Sequence, residues 1–262
     1  MNMAINWILE RVEESTSTNE DLMSRWRAGL LWEPVARMAL KQTSGRGRMG
    51  RAWVSGPDTA LTFSVAYPFK KGIQDLSGLS LACGLAVVKG IASATNTSKE
   101  DLQKMGLGLK WPNDILLNQK KLAGMLIEGG RLKPEEPTWL IIGIGINLNS
   151  NSNISAQIGR EIAGVNDLAI STPINADLLW LELLKELGAV IVDFENSSFK
   201  KFQTEWNDWD VYKNKMCQIH QQDKLELEGI EKGVDENGCL LIESSGTLKK
   251  IISGDVSLRM AE

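Results

Sequence analysis

The centre of the predicted sheet is one apolar stretch, Trp139-Leu140-Ile141-Ile142-Gly143-Ile144-Gly145-Ile146-Asn147. Its β-branched isoleucines are typical of a strand that is buried inside a sheet. Gly143 and Gly145 weaken such a strand unless something flat must lie against it, so a bound ligand and a bulge with tight packing both stay open. The spacing is not Gly-x-Gly-x-x-Gly and no helix is predicted to follow directly, which disfavours a dinucleotide site.

Around this stretch, the hydrophobic patterns predict both helices and strands. Ser17 or Thr18 is predicted to cap a first helix, and Ser17 with Glu20 fits a capping box. Helical spacing predicts further helices over residues 77–95, from Pro173 to about Val190, and over residues 199–209. Strands are predicted over residues 60–67, ended by Pro68, and over residues 107–111, 114–117 and 122–128. Residues 149–153, which are all Asn or Ser, are predicted to form a loop.

The pattern changes after about residue 210. Short strands with turns between them are predicted over residues 216–221, 224–229, 239–243 and 248–252. Short strands at such regular spacing are typical of a small β-barrel or sandwich. We therefore expect an α+β chain of two domains, with a mixed or antiparallel sheet and helices over residues 1–210 and a small β domain over residues 211–262.

The composition is that of a globular protein of 262 residues, with 43% hydrophobic and 24% charged residues. A net charge of −4 argues against a dedicated binder of nucleic acid or of acidic membranes. The three scattered cysteines lack metal-binding spacing, and a single histidine disfavours a Ser-His-Asp triad. No apolar stretch approaches the ~20 residues that span a bilayer and no signal peptide is recognisable, so we expect a cytoplasmic protein without membrane partners.

A basic, glycine-rich loop is the sharpest local motif: Ser44-Gly45-Arg46-Gly47-Arg48-Met49-Gly50-Arg51-Ala52-Trp53, hereafter the Arg-Gly loop. No acidic residue lies between Glu33 and Asp58. Its glycines let the backbone approach an anion, and its arginines can bind phosphate or carboxylate bidentately. The motif predicts a loop that is mobile when empty and closes over an anionic ligand. A solvated basic hairpin or an RNA-binding Arg-Gly stretch is the alternative.

A second motif is Lys110-Trp111-Pro112-Asn113-Asp114, followed by Lys120-Lys121-Leu122-Ala123-Gly124. Lys121 is predicted to open a strand across a hairpin from Asp114. A lysine there can stabilise the charge that develops at an α-phosphate during nucleotidyl transfer, and an aspartate offers the hard oxygen ligands that Mg²⁺ prefers. Gly124 leaves room for a ligand ring. The alternative is an ordinary Asn-Asp turn beside a surface lysine.

In this order along the chain, the motifs resemble those of the biotin protein ligase family. The series comprises Ser17-Thr18-Asn19, Gln42 with the Arg-Gly loop, the two motifs around Asp114 and Lys121, and Gly143 to Asn147. The resemblance runs from about Glu14 to the C-terminus and includes the family's closing pattern, here Gly254-Asp255-Val256-Ser257-Leu258-Arg259. The sequence departs from the pattern at Met49, where many members have another arginine.

The resemblance implies a class II synthetase-like α+β catalytic domain followed by an SH3-like β-barrel. It implies that biotin and MgATP give biotinyl-5′-AMP and pyrophosphate, and that the biotinyl group then passes to one lysine of a biotin carboxyl carrier protein, as in acetyl-CoA carboxylase. Biotin, ATP and Mg²⁺ are thus the implied substrates and cofactor. Pairing of two copies into a homodimer through their sheets is left open.

The resemblance also implies roles for individual residues. Lys121 and Arg48 are the implied catalytic residues, with Lys121 at the biotin carboxylate and the α-phosphate. The implied biotin-binding residues are Ser17, Thr18, Asn19, Gln42, Gly45, Arg46, Gly47, Arg48, Lys121, Gly124 and Gly143. The implied ATP-binding residues are Arg46, Arg48, Arg51, Trp53, Asn113, Lys121 and Asn147, and the implied metal ligand is Asp114.

Three alternatives make different predictions. Lipoate and octanoyl transferases share the implied fold, but a buried urea requires polar partners such as residues 17–19, which a lipoyl chain does not. An RNA-binding module conflicts with the net charge and with the lack of interleaved basic and aromatic residues. Some members of the family repress transcription through an N-terminal winged helix-turn-helix. Because sixteen residues precede Ser17, we expect no specific DNA binding.

Overall fold

The computed structural model describes residues 5–54, 59–170, 173–221, 224–252 and 256–261. The helices are α1 (Thr18–Arg27), α2 (Leu79–Thr95), α3 (Lys99–Lys104), α4 (Ser152–Ile158), α5 (Ala176–Ser197) and α6 (Gln203–Trp209). The strands up to the middle of the chain are β1 (Ile8–Ser15), β2 (Val35–Gln42), β3 (Gly45–Arg46), β4 (Ala52–Trp53), β5 (Ala60–Phe69), β6 (Leu107–Lys110), β7 (Asp114–Leu117), β8 (Lys120–Gly130) and β9 (Thr138–Asn147). The later strands are β10 (Met216–Gln221), β11 (Lys224–Val234), β12 (Leu240–Ser244), β13 (Thr247–Ile251) and β14 (Val256–Met260). None of the helices in these ranges has the length and apolarity needed to cross a membrane.

A seven-stranded mixed sheet forms the larger part of the fold, in the order β1-β2-β5-β9-β8-β7-β6. Strands β1 and β2 are parallel, whereas the other neighbouring strands are antiparallel. Strand β9 lies in the middle and pairs along most of its length with β5 and β8. The prediction of a central strand from residue 139 to residue 147 is therefore confirmed.

Alternation along β9 sends its side chains to two different faces of the sheet. Ile142 and Ile144 point into the main core, which also contains the buried faces of α2 and α5. Trp139 and Ile141 point to the opposite face, where they pack with Leu22 of helix α1. By the same alternation, Gly143 and Gly145 lie on the α1 face. Two side chains are thus missing on that face of the sheet, which leaves room above β9.

A second sheet is antiparallel throughout, in the order β13-β12-β11-β10-β14. The segment that leads into it lies against the large sheet, where the Val211 N–H donates to the Leu109 carbonyl at 3.0 Å. The Trp111 indole, which is almost fully buried, also donates to the Gly238 carbonyl at 3.1 Å. The predicted fold class, an α+β fold with a mixed sheet and a C-terminal antiparallel β domain, is confirmed.

Some elements differ from the sequence-based predictions. Strands β1 and β2 and helices α3 and α4 were not predicted, and the Asn/Ser stretch is no simple loop because Asn151 caps the N-terminus of α4. Strand β5 continues past Pro68 to Phe69. A proline is tolerated there because β2 pairs with β5 only as far as Ala66, so no second partner strand requires its missing N–H. Gly254 and Asp255 of the closing pattern lie outside the described residues.

Candidate active site

A small cavity of about 50 Å³ lies on the α1 face of β9, at the N-terminus of α1. Ser17 caps this helix, and its hydroxyl accepts from the Glu20 N–H, so half of the predicted capping box forms. The walls come from α1, β5, β8, β9, the Arg-Gly loop and the end of β2. The lining residues are Ser17, Thr18, Asn19, Gln42, Arg46, Gly47, Arg48, Trp53, Phe63, Ser64, Asn113, Lys121, Gly124, Met125, Leu126, Gly143, Ile144 and Gly145.

A connected set of buried polar side chains forms one wall of the small cavity. The Thr18 N–H donates to Gln42 Oε1 at 2.8 Å, and the Thr18 hydroxyl lies 2.7 Å from that of Ser64. Ser64 donates to Asn19 Oδ1 at 2.7 Å. Thr18, Asn19 and Ser64 are at most 4% exposed. Polar groups this deeply buried are costly unless they are hydrogen-bonded, and here donors and acceptors on the cavity wall bond to one another.

The glycines of β9 make space for this wall. A Cβ built on Gly143 would overlap the Asn19 amide, and a Cβ built on Gly145 would overlap the Trp53 ring. The flat groups that the sequence led us to expect against these glycines are therefore, in part, side chains of the protein itself. Gly124 on the neighbouring strand would bring a Cβ to 2.8 Å from the Lys121 ammonium.

The Arg-Gly loop forms a short hairpin beside the small cavity. Strands β3 and β4 pair Gly45 with Trp53 and Arg46 with Ala52, and the Gly47 N–H donates to the Arg51 carbonyl at 2.7 Å. Met49 has a positive φ of 57°, as does Gly50 with 71°, which lets the chain reverse within three residues. The mobility that the sequence predicts for this loop stays a prediction.

A larger cavity of about 450 Å³ adjoins the small one. It extends from the Arg-Gly loop and the β6–β7 turn to helix α4 and strand β14. Its lining residues are Gly47, Arg48, Met49, Arg51, Ala52, Trp53, Val54, Lys110, Trp111, Pro112, Asn113, Asp114, Lys121, Asn147, Ile154, Gln157, Ile158, Arg160, Ile162, Val256, Ser257 and Leu258. The two cavities share Gly47, Arg48, Trp53, Asn113 and Lys121.

Charged side chains cluster where the cavities meet. Lys121 Nζ lies 2.6 Å from Asp114 Oδ1, and Arg160 Nη2 lies 3.4 Å from Asp114 Oδ2. Burial raises the pKa of Asp114, but the charges of Lys121, Arg160 and Lys110 outweigh it and lower this pKa to about 2. Burial, opposed by the charge of Asp114, lowers the pKa of Lys110 to about 8. The cluster holds three cations around one carboxylate and is therefore suited to an anionic ligand.

Trp53 lines both cavities. Its ring lies over Gly145, and Lys121 Nζ lies 5.8 Å from its centroid, within the range of a cation–π interaction. Its indole Nε1 is buried and has no hydrogen-bond partner among the described residues. A buried N–H donor without a partner is costly, so a ligand acceptor at this position would be stabilising.

Most residues implied by the family resemblance gather at these cavities. All implied biotin-binding residues except Gly45 line the small cavity, and Gly45 is buried at the base of the hairpin. Six of the implied ATP-binding residues line the larger cavity: Arg48, Arg51, Trp53, Asn113, Lys121 and Asn147. Arg46 does not line it. The residue roles themselves stay predictions.

Other lining residues were not identified from the sequence. Ser64 carried a usable signal, because a serine in the apolar strand β5 is unexpected unless it has a buried partner. Lys110 belongs to the motif around Asp114, but the sequence alone gave no role for it. Arg160 and the apolar wall from α4 carried no local signal, because their position depends on contacts between residues far apart in the chain.

The contacts of Asp114 do not favour a metal held by the protein. Both of its oxygens already accept from cations, and the described residues contain no group of three His, Cys, Asp or Glu side chains that could hold a metal ion. Asp114 is therefore better suited to orient Lys121 and Arg160 than to hold a metal ion.

Two families match the chain. Residues 9–147 match the biotin/lipoate A/B protein ligase family, and residues 214–259 match the biotin protein ligase C terminal domain. The first match covers the chain from β1 to β9 and so includes every residue that lines the small cavity. The second match spans the C-terminal sheet, whose strand β14 contributes to the larger cavity.

Characterised relatives and solved structures are similar over nearly the whole chain. The bifunctional ligase/repressor BirA of Escherichia coli is 31% identical over 249 residues, which are 94% of this chain and 72% of BirA. The biotin–[acetyl-CoA-carboxylase] ligase of Mycobacterium tuberculosis is 27% identical over 249 residues, which are 95% of this chain and 88% of that ligase. The biotin protein ligase of Aquifex aeolicus in complex with biotin and ATP has a TM-score of 0.77 and 28% identity, and covers 97% of this chain and 99% of its own.

Proposed function

The chain belongs to the biotin protein ligase family, and on that premise we propose that it joins biotin to one lysine of the carrier domain of acetyl-CoA carboxylase in two steps. It is an enzyme of the biotin–[acetyl-CoA-carboxylase] ligase class. The observation that carries the proposal is the meeting of two cavities at Lys121 and Arg48. The small cavity has a polar wall that suits a urea, and the larger one has the size and charge for a nucleotide.

In the first step, an oxygen of the biotin carboxylate attacks the α-phosphorus of ATP. The bond from this phosphorus to the bridging oxygen breaks, and pyrophosphate leaves with the electron pair. The two reactants are both anionic and repel each other in solution. Lys121, with Arg48 beside it, brings them together and stabilises the charge at the crowded phosphorus. No side-chain nucleophile is needed.

In the second step, the neutral ε-amine of the acceptor lysine attacks the carbonyl carbon of biotinyl-5′-AMP. The bond to the AMP oxygen breaks, AMP leaves, and the amine loses a proton as the amide forms. Water would hydrolyse the mixed anhydride before this step if the site stayed open. Arg48 holds the Arg-Gly loop against the β6–β7 turn, because its Nη1 donates to Asn113 Oδ1 at 3.2 Å, and this contact favours water exclusion.

Magnesium enters this proposal with the nucleotide. A divalent ion bound to the triphosphate neutralises part of its charge and makes pyrophosphate a better leaving group. The protein's own cations, Lys110, Lys121 and Arg160, line the same cavity and would face the phosphates. Asp114 is then a positioning residue for Lys121 and Arg160.

The polar wall of the small cavity favours biotin over lipoate as the substrate. A urea ring has two N–H donors and one carbonyl acceptor, and the wall of Thr18, Gln42, Ser64 and Asn19 offers partners for both kinds of group. The dithiolane of a lipoyl chain makes no such hydrogen bonds. With a lipoyl chain in the cavity, the buried polar groups of the wall would lack the hydrogen-bond partners that a urea provides.

Pyrophosphate release and acceptor labelling test the proposal directly. The protein is mixed with MgATP and either biotin or lipoate, and an isolated biotin carrier domain is then added. We expect biotin-dependent pyrophosphate release and a biotinylated carrier lysine, with no product from lipoate. Biotin with MgATP should also raise the melting temperature, whereas RNA should not. Preferential activation of lipoate, or stabilisation by RNA alone, would contradict the proposal.

A further inference from the structure

Two carboxylates hold the first arginine of the Arg-Gly loop. Arg46 Nη1 donates to Glu20 Oε2 at 2.6 Å, and Arg46 Nη2 donates to Glu128 Oε1 at 2.7 Å. One carboxylate comes from helix α1 and the other from strand β8. Two carboxylates paired with one guanidinium cancel its positive potential, so Arg46 attracts a phosphate only weakly. Its position outside the larger cavity agrees with this.

Glu128 also contacts the wall of the small cavity. Its second oxygen, Oε2, accepts from Asn19 Nδ2 at 2.9 Å, and Asn19 Oδ1 accepts from Ser64. Both polar ends of the Asn19 amide are thereby fixed. One carboxylate thus joins the Arg-Gly loop to the amide that lies over Gly143. The Glu128 side chain is 20% exposed, so solvent screens these contacts only in part.

The contacts of Glu128 determine which residue type can stand there. Both of its partners are donors, namely the Arg46 guanidinium and the Asn19 amide. The side chain must therefore provide two acceptors at once, and glutamate does so. Glutamine has one acceptor and one donor, and its NH₂ group would face either Arg46 or Asn19, so one of the two contacts must be lost.

Glu20 provides a natural comparison. It accepts from Arg46, from Arg27 at 2.9 Å and from Ser24 at 3.4 Å. Its carboxylate has no hydrogen bond to Asn19 among the described residues. Glu20 therefore binds the Arg-Gly loop as Glu128 does, but among the described residues its carboxylate has no hydrogen bond to the polar wall of Thr18, Asn19, Gln42 and Ser64.

We propose that Glu128 is a positioning residue that couples biotin binding at Asn19 to the fixed position of the Arg-Gly loop. In this proposal, Arg46 anchors the loop to Glu20 and Glu128 and does not bind phosphate. The inference rests on the proposed function, because it assigns biotin to the small cavity. With biotin seated, Asn19 is ordered by the urea and by Glu128 together. The same carboxylate then keeps Arg46, and with it the loop, in place over the adenylate.

The test compares Glu128→Gln with Glu20→Gln, which removes the same charge from the other side of Arg46. Biotin affinity is measured by calorimetry, and adenylate retention by the release of biotinyl-5′-AMP from a preloaded complex. We expect Glu128→Gln to weaken biotin binding about tenfold and to speed adenylate release at least fivefold. Glu20→Gln should speed release while leaving the biotin Kd within twofold of the wild type.

A double variant checks that the effect passes through Arg46. Arg46→Gln should speed adenylate release, and adding Glu128→Gln to it should speed release by a smaller factor than Glu128→Gln does alone, because only the contact with Asn19 is then left to lose. The coupling is overturned if Glu128→Gln keeps wild-type biotin affinity, or if Glu128→Gln and Glu20→Gln have the same biotin Kd. If the two substitutions multiply the release rate in the double variant by the full product of their single effects, the anchoring role of Arg46 is overturned. If the wild type itself neither binds biotin nor forms the adenylate, the proposed function fails instead.

Discussion

The ammonium of Lys121 and the carboxylate of Asp114 form an ion pair of 2.6 Å across the hairpin that joins β7 and β8. The pair lies where the two cavities meet, and the Asp114 side chain is 13% exposed. Because the pKa of Asp114 falls to about 2, its charge persists at every pH at which the enzyme would work. The carboxylate therefore keeps Lys121 oriented and is not available as a proton donor.

Replacing Lys121 tests its role at the reacting phosphate. Lys121→Ala should lower the rate of biotin-dependent pyrophosphate release about 100-fold or more, as is typical when a group that stabilises transition-state charge is removed. The melting temperature should change little. Lys120→Ala is the matched control, because Lys120 is more exposed and pairs with Glu161 at 3.3 Å. A wild-type rate in Lys121→Ala would contradict the assignment.

Loss of Arg48 should make the adenylate leak into solution. Arg48 ties the Arg-Gly loop to Asn113, so Arg48→Gly should release biotinyl-5′-AMP and biotinylate bystander lysines on added albumin about tenfold faster. Met49→Gly is the control in the same loop, since the positive φ of Met49 suits glycine. Bystander labelling at background level in Arg48→Gly would count against closure by this residue.

A methyl group at Gly143 should block the small cavity. Gly143→Ala places a Cβ against the Asn19 amide, and overpacking of this kind costs about 1–3 kcal/mol, or about a tenfold to a hundredfold loss of biotin affinity. Gly188→Ala is the comparison, because its Cβ would meet its nearest neighbours at 3.7 Å and alanine favours helix α5. Equal biotin affinity in the two variants would show that Gly143 does not adjoin the ligand.

The pH dependence of stability should carry the signature of a buried acid pair. Burial, together with the charge of Asp210, raises the pKa of Glu231 from 4.5 to about 9, and Glu231 is fully buried. The folded state thus holds a proton that the unfolded chain releases above pH 4.5. The free energy of unfolding should therefore fall as pH rises from about 5 to 9, by up to about 1.4 kcal/mol per unit from this group.

Glu231→Gln isolates this effect, because an amide replaces the neutral acid and cannot ionise. Denaturant unfolding between pH 5 and pH 9 should show a flatter stability profile in Glu231→Gln than in the wild type. Glu228→Gln on the same strand is the control, since Glu228 is exposed, and it should leave the slope unchanged. A slope in Glu231→Gln equal to that of the wild type would contradict the buried-proton interpretation.

Local sequence patterns predicted the helices and strands whose apolar residues recur at clear helical or strand spacing. Helix α2 and strand β9 are buried along most of their length, and their apolar residues gave a clear signal. Strand β1 gave none, because it forms the edge of the sheet and carries charged residues, with Ile8 and Leu9 about half exposed. An edge strand has one paired side and little burial, so its pattern resembles that of a loop.

The sequence by itself determined where α1 begins, where glycines leave side chains absent from one face of β9, and which basic residues could meet an anion. These features follow from local chemistry: backbone freedom, hydrogen-bonding capacity and charge. Only the tertiary structure decided that Glu20 binds Arg46 rather than completing its capping box, that Glu128 links Arg46 to Asn19, and that Arg160 reaches Asp114. Each of these contacts joins residues at least 26 positions apart, and chain folding alone sets such distances.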